Sequence, residues 1–201
     1  MAVDSSKTWV SKMSNITRKF VRNVGIGGTG FVCKGVGGDL LNAKELVDTL
    51  SFDNIDLVTI AYGINDYKGG FALGSMSDVV KTDNTTIANM RYVIEKIQTT
   101  KPTAKIIVIL PFNARGYSGS RLGDLSTNYA LGYAVNSKTL QDFYDAMVEV
   151  CEYYGIQYID GTHSSIISRY AMNKLLPDGV HPSEDTHTMI AREFSNKIAC
   201  Y

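Results

Sequence analysis

The stretch "IDLVTIAYGINDYKGG" (residues 55–70) carries two different messages. From Ile55 to Gly63 it is a continuous apolar run with β-branched side chains at Ile55, Val58, Thr59 and Ile60. Such a run suits a strand covered on both faces, because a one-sided strand would alternate apolar and polar positions. At Gly63 the run breaks into Asn65 and Asp66, two polar residues at the point where a buried strand emerges. Other segments repeat the first message. "AKIIVILPF" (104–112) is a second buried strand, "IQYID" (156–160) a shorter one, and "FVRNVGI" (20–26) a short strand ending in a glycine-rich turn.

Helical patterns separate these strands. Trp9, Val10, Met13, Ile16, Thr17 and Phe20 recur at three- and four-residue spacing, which predicts a helix from about Lys7 to Lys19. Residues 40–50, "NTTIANMRYVIEKIQTTKP" (84–102), "SKTLQDFYDAMVEVCEYYG" (137–155) and "SSIISRYAMNKLL" (164–176) also read as helices, and a final helix starts at Ser183. Alternating strands and helices predict a mainly parallel sheet with helices on both faces. In such a sheet the ligand crevice lies beyond the C-terminal ends of the strands. The long segment from Asn113 to Asn136 is read as a loop.

Composition narrows the class. The 201 residues are 44% hydrophobic and 20% charged, the balance of an ordinary globular protein, and one domain over 1–201 is expected. Twenty basic residues cancel twenty acidic ones, and no basic run with interleaved aromatics is present, so a nucleic-acid partner is not expected. No apolar stretch approaches the roughly 20 residues of a membrane span, and no membrane partner is expected. "MAVDSSKTWVSKM" lacks the apolar core of a secretory signal. Cys33, Cys151 and Cys200 are odd in number and widely spaced, which argues for reduced, mostly buried thiols and against a disulfide framework or a zinc site.

Three strand ends hold unusual sequence. "NVGIGGTGF" (23–31) has glycines at 25, 27, 28 and 30, so backbone N–H groups can approach a ligand closely. It is either such a cradle or a tight turn. "GIGGTG" lacks the register of a dinucleotide fingerprint, and no acidic residue follows a second strand at the required place. Asn65 either closes an Asx-turn or presents its amide to the crevice. In "PDGVHP" (177–182) Asp178 and His181 stand three apart around Gly179, a spacing that lets the carboxylate accept from imidazole Nδ1–H and leaves Nε2 as a base. The alternative is a capped loop with a solvated histidine, because Pro182 and Ser183 begin a helix with Glu184 and Asp185 in its first turn. His163 and His187 match no motif: His163 reads as helix-capping or solvent-facing, His187 as an exposed position in the last helix.

Taken in order, the glycine turn, the Gly-x-Asn-Asp after the next strand and the Asp-x-x-His-Pro near the C-terminus resemble the SGNH hydrolase superfamily, the GDSL-type esterases and lipases. The resemblance covers nearly the whole chain. It implies a flavodoxin-like three-layer α/β/α sandwich that hydrolyses esters through serine, histidine and aspartate, with no metal and no organic cofactor. Gly28 then matches the glycine whose N–H serves the oxyanion hole, Asn65 the asparagine whose amide serves it, His181 the general base, and Asp178 its orienting partner.

One block of the family pattern is not evident. The family begins with a strand followed by Gly-Asp-Ser, whose serine is the nucleophile. "VDSS" (3–6) offers Ser5 after Asp4, without the glycine, and Ser5 stands only four residues before Trp9, closer than in the family pattern. Ser5 is the candidate nucleophile within the chain, with Ser6 beside it; Cys33 has no evident basic neighbour and reads as a buried small hydrophobe. The first strand of this fold is central, so its absence would open two sheet edges. A segment lost upstream, strand exchange with another chain, or a catalytically silent relative would each account for this.

The expectation is an ester hydrolase acting on small acyl esters, with acetyl groups on carbohydrate suggested by the tyrosines and small polar residues of 113–136. The rival is a binding module that keeps the crevice but has no nucleophile. A flavin or nucleotide protein of the same fold is a third reading.

Overall fold

The computed structural model describes residues 5–114, 117–118, 121–122, 134–163, 166–168 and 171–199. A 3-10 turn at Ser5–Lys7 leads into α1 (Trp9–Thr17), followed by α2 (Ala43–Thr49), β1 (Leu57–Ile60), α3 (Ile64–Lys68), α4 (Thr86–Thr100) and β2 (Lys105–Ile109). Then come β3 (Tyr117–Ser118), β4 (Arg121–Leu122), β5 (Ala134–Val135), β6 (Lys138–Thr139), α5 (Leu140–Tyr154), β7 (Gln157–Ile159), α6 (Met172–Leu175) and α7 (Glu184–Ala199).

The central sheet has the order β1-β2-β7 and both pairings are parallel, with Leu57 opposite Lys105 and Ile107 opposite Gln157. Successive side chains of a strand point to opposite faces. Ile106 and Val108 therefore pack with α2, α4 and α5, whereas Ile107 and Ile109 pack with α1 and α7. On the second face Trp9 meets Phe194 edge-on at 5.2 Å and Phe112 stacks on Phe194 at 5.7 Å. The fold is a three-layer α/β/α sandwich with a mainly parallel sheet.

Local chemistry sets the helix ends. Asn42 with Glu45 and Thr139 with Asp142 form reciprocal capping boxes at the starts of α2 and α5. Gly155 closes α5 at φ 63°, a left-handed cap that glycine adopts without strain. Ser183 Oγ accepts the Thr186 N–H at the start of α7, and the Ser183 N–H donates to the Leu175 carbonyl. Those bonds tie the loop between α6 and α7 at both ends.

Three expectations change. Residues 20–26 join no ladder, because a strand exists only as a paired element and none of the described residues lies alongside to pair with them. The helix expected over 164–176 shrinks to Met172–Leu175, with residues 166–168 outside any helix. The loop from Asn113 to Asn136 contains the β3–β4 hairpin and runs into the β5–β6 hairpin, whose two-residue turn has positive φ at both Asn136 and Ser137 as strand twist favours. The tyrosine side chains of that segment, and Cys200, lie outside the described residues. Among the described residues no helix is long and apolar enough to cross a membrane.

Candidate active site

The glycine turn that follows residues 20–26 is held from below by a buried carboxylate. Asp66 Oδ2 accepts the Phe31 N–H at 2.8 Å, and Oδ1 accepts those of Val32 at 2.8 Å and Cys33 at 3.0 Å. Burial pushes the Asp66 carboxyl above its ordinary range, and the three N–H bonds offset this only in part. Asn89, also buried, donates to the Phe31 carbonyl at 2.9 Å, and Asn42 to the Val32 carbonyl at 3.3 Å. The turn is thus clamped by three polar side chains from three different segments.

Asn65 is fixed by the same device because it precedes Asp66 in α3. Gly63, at φ 111°, begins that helix, so Asn65 is not the cap of a turn but lies in the first turn of α3. Its Nδ2 donates to the Thr29 carbonyl at 2.8 Å, which leaves a second amide hydrogen. Gly28 takes φ 81° one residue away. Both residues line one cavity of about 790 Å³.

Opposite them, the loop before α7 presents Asp178 and His181. His181 Nδ1 lies 2.6 Å from Asp178 Oδ2, while Asp178 Oδ1 accepts the N–H groups of Val180 at 3.0 Å and His181 at 2.7 Å. Burial works against the Asp178 charge, but the bonds from His181 and Val180 outweigh it and hold the carboxyl well below its usual range. A carboxylate that stays ionised and accepts Nδ1–H leaves Nε2 as the basic nitrogen. Lys68, at the end of α3, is lowered by burial and pulled back up by the Asp178 charge, so the two segments face each other electrostatically. His181 lines the same cavity as Gly28 and Asn65.

The structure corrects the reading of one histidine and adds a partner to another. His187 is buried, not exposed: only 9% of it is accessible, it lines the cavity, and its Nδ1 accepts the Trp9 N–H at 3.3 Å. That bond requires an unprotonated Nδ1, and burial, with Lys12 and His181 nearby, lowers its pKa. His163 is solvent-facing as expected, yet it repeats the Asp178–His181 geometry, with Nδ1 at 2.6 Å from Asp160 Oδ2. Asp160 is held down at about 2 by the His163, Tyr144 and Thr162 bonds against the opposing effect of burial. The signal was in the sequence: "DGTH" (160–163) has the spacing of "DGVH" (178–181). His163 is not on the cavity wall.

Ser5 lies in the 3-10 turn before α1, and its side chain is outside the described residues. Ser6 is exposed, and Thr8 is the hydroxyl-bearing residue of this segment described on the cavity wall. Cys33 is half-buried rather than fully buried, its thiol 3.4 Å from the Gly28 carbonyl. No group of three metal-ligating side chains occurs among the described residues.

A glycine turn, an asparagine amide and an Asp–His pair around one crevice at the C-terminal rim of a parallel sheet define the class of SGNH-type α/β hydrolase folds. The chain belongs to the GDSL-like lipase/acylhydrolase family, whose model matches residues 2–189. Solved structures share the fold at low identity. A possible lipase from Chitinophaga pinensis superposes with a TM-score of 0.68 at 19% identity, over 95% of this chain and 87% of its own. A carbohydrate acetylesterase from Sinorhizobium meliloti does so at 0.63 and 13%, over 100% of this chain and 88% of its own. A family two carbohydrate esterase from Cellvibrio japonicus gives 0.61 at 16%, over 97% of this chain and 51% of its own. No curated protein matches the sequence.

Proposed function

We propose that this chain is an SGNH-type ester hydrolase for small acyl esters, acetyl groups on carbohydrate among them. The observation that carries the reading is the convergence of His181, Asn65 and Gly28 on one cavity, with Asp178 fixing the imidazole. In this reading His181 Nε2 takes the proton of an attacking hydroxyl, and the charged imidazole is balanced by Asp178. The Gly28 N–H and the second Asn65 amide hydrogen receive the oxyanion of the tetrahedral intermediate. Collapse of that intermediate expels the alcohol, which takes the proton from His181. Water, activated by the same nitrogen, then releases the acid. Carbohydrate as the alcohol side is supported by the two carbohydrate-esterase neighbours of the same fold.

A second reading, a binding module without turnover, is favoured by one observation: none of the serines whose side chains are described lines the cavity. Hydrolysis of p-nitrophenyl acetate separates the two. Turnover by the 201-residue chain that disappears in His181→Ala supports the enzyme. Silence of this chain, with and without an added strand bearing a serine, supports the binding module.

A further inference from the structure

Two glycine turns meet beside the candidate oxyanion site. The first, around Gly28, lines the cavity. The second runs from Lys34 to Leu40 and is pinned at its base. The Leu40 N–H donates to the Lys34 carbonyl at 3.1 Å, Lys34 is bridged antiparallel to Thr29, and its ammonium pairs with Glu45 in the first turn of α2. A Cβ on Gly28 would stand 3.9 Å from the Gly35 Cα, so the two turns are in van der Waals contact.

The tip of the second turn is apolar and open. Gly35, Gly37 and Gly38 take φ of 76°, 94° and 78°, a backbone path that glycine follows without strain and that leaves Val36 as the one side chain among them. Val36 is fully exposed, and Leu40, whose Cδ1 would stand 2.7 Å from a Cβ on Gly35, is 40% exposed beside it. A lone exposed valine is ordinary on a protein surface. This one is carried on a pinned turn against the oxyanion glycine: with successive Cα atoms about 3.8 Å apart, the Val36 Cα lies within about 8 Å of that Gly28 position. Residues 34–41 are not part of the cavity wall that holds His181, so the turn forms a lip outside it.

The reaction decides which part of a substrate reaches the lip. An ester carbon carries a carbonyl oxygen, an alcohol oxygen and an acyl chain. In the ester-hydrolase reading, on which this inference rests, the carbonyl oxygen faces Gly28 and Asn65. The alcohol oxygen faces His181 Nε2, from which it takes its proton. The acyl chain is left the remaining direction, away from His181 and along the glycine turns. We propose that Val36, with Leu40 beside it, is the residue that sets acyl specificity: an apolar lip covering one flank of a straight acyl chain of up to about four carbons. A short chain gains contact there, whereas an acetyl methyl ends before it.

The probes are p-nitroacetanilide and p-nitrobutyranilide, amides that keep the carbonyl and the aryl group of the nitrophenyl esters and resist cleavage. Each is titrated into the 201-residue chain carrying 13C-labelled valine methyls, with the Val36 signals assigned from their loss in Val36→Ile. A fully buried methylene is worth about fourfold in affinity, and two methylenes covered on one flank about the same together. The butyranilide should therefore bind about fourfold more tightly than the acetanilide and move the Val36 methyl signals. Val36→Asp, a fully exposed position, should bring the ratio to about one with an unchanged urea midpoint, and Val36→Ile should keep it. Discrimination that is lost in Val36→Asp, with p-nitrophenyl butyrate turned over in preference to the acetate, supports the lip and the hydrolase together. The same discrimination without turnover of either ester supports the lip and overturns the hydrolase. Equal binding of the two anilides, a ratio unchanged in Val36→Asp, or no binding of either overturns the lip even if the chain turns over ester. A loss in Val36→Asp that follows exchange of nitrophenyl for naphthyl, and not the acyl chain, assigns the turn to the alcohol side and overturns it too.

Discussion

Gly30 and Asp66 occupy the same space: a Cβ on Gly30 would sit 2.2 Å from Asp66 Oδ2. The carboxylate comes so close because it bonds the N–H groups of Phe31, Val32 and Cys33 just beyond that glycine. Gly28 and Asn65 belong to the two segments so joined. Their placement on one cavity wall follows from a contact that touches no substrate.

Substitution at either residue should disturb that join. Gly30→Ala forces the carboxylate off its N–H donors and is expected to lower stability by about 1–3 kcal/mol. Asp66→Asn turns an amide NH2 toward a backbone N–H and is expected to cost about 1–3 kcal/mol. Urea denaturation midpoints measure both. Wild-type midpoints in either variant would mean the clamp is not structural.

The same contact shows how far the sequence could be read. Strands β1 and β2 were legible because each is an apolar, β-branched run, and β7 as a short strand after the glycine that closes α5. Asn65, Gly28, Asp178 and His181 were legible as motifs; the structure places Asn65, Gly28 and His181 on one cavity wall, with Asp178 against His181 Nδ1. The role of Asp66 was not, because its partners are backbone N–H groups 33 to 35 residues away. His187 was misread because its burial comes from α1, a packing relation that the local pattern of α7 does not contain. The strand expected at 20–26 failed for the opposite reason: its residues have the right chemistry, and pairing depends on a neighbour.

Two Asp–His pairs with the same 2.6 Å contact provide an internal control. His181 is on the cavity wall and His163 is not. In whichever form of the chain turns over p-nitrophenyl acetate, His181→Ala should abolish turnover and Asp178→Asn lower kcat by about 10⁴-fold. His163→Ala should leave kcat and KM within twofold of wild type. Equal losses at both histidines would contradict the assignment of His181.

Asn65→Ala removes one oxyanion donor and also the bond to the Thr29 carbonyl. Turnover should fall about 10²–10³-fold in kcat with KM nearly unchanged, since the donor acts on the transition state. A rise in KM alone would assign Asn65 to substrate binding instead.

Cys151 is fully buried beneath the sheet, and burial pushes its thiol up to about 12. The thiolate is the reactive form. Iodoacetamide at neutral pH should leave Cys151 unmodified in the folded chain and label it in urea, with peptide mass mapping as the readout. Labelling of Cys151 under native conditions would mean that the α5 face opens readily.

His187 should make stability depend on pH in a definite direction. In the unfolded chain it takes up a proton near its ordinary value of 6.5, and in the folded chain only at lower pH, because burial, Lys12 and His181 disfavour the charge. Between those two values the unfolded state binds more protons, so stability falls as pH drops below about 6.5 and levels off once the folded value is passed. Asp178 and Asp160 also have lowered values, but their contributions are present above the ordinary carboxylate range and are lost only at more acid pH. His187→Asn keeps an acceptor for the Trp9 N–H and cannot take up the proton. Its urea midpoint should therefore drop less than that of wild type between pH 7.5 and pH 5, and parallel losses in the two proteins would place the acid sensitivity elsewhere.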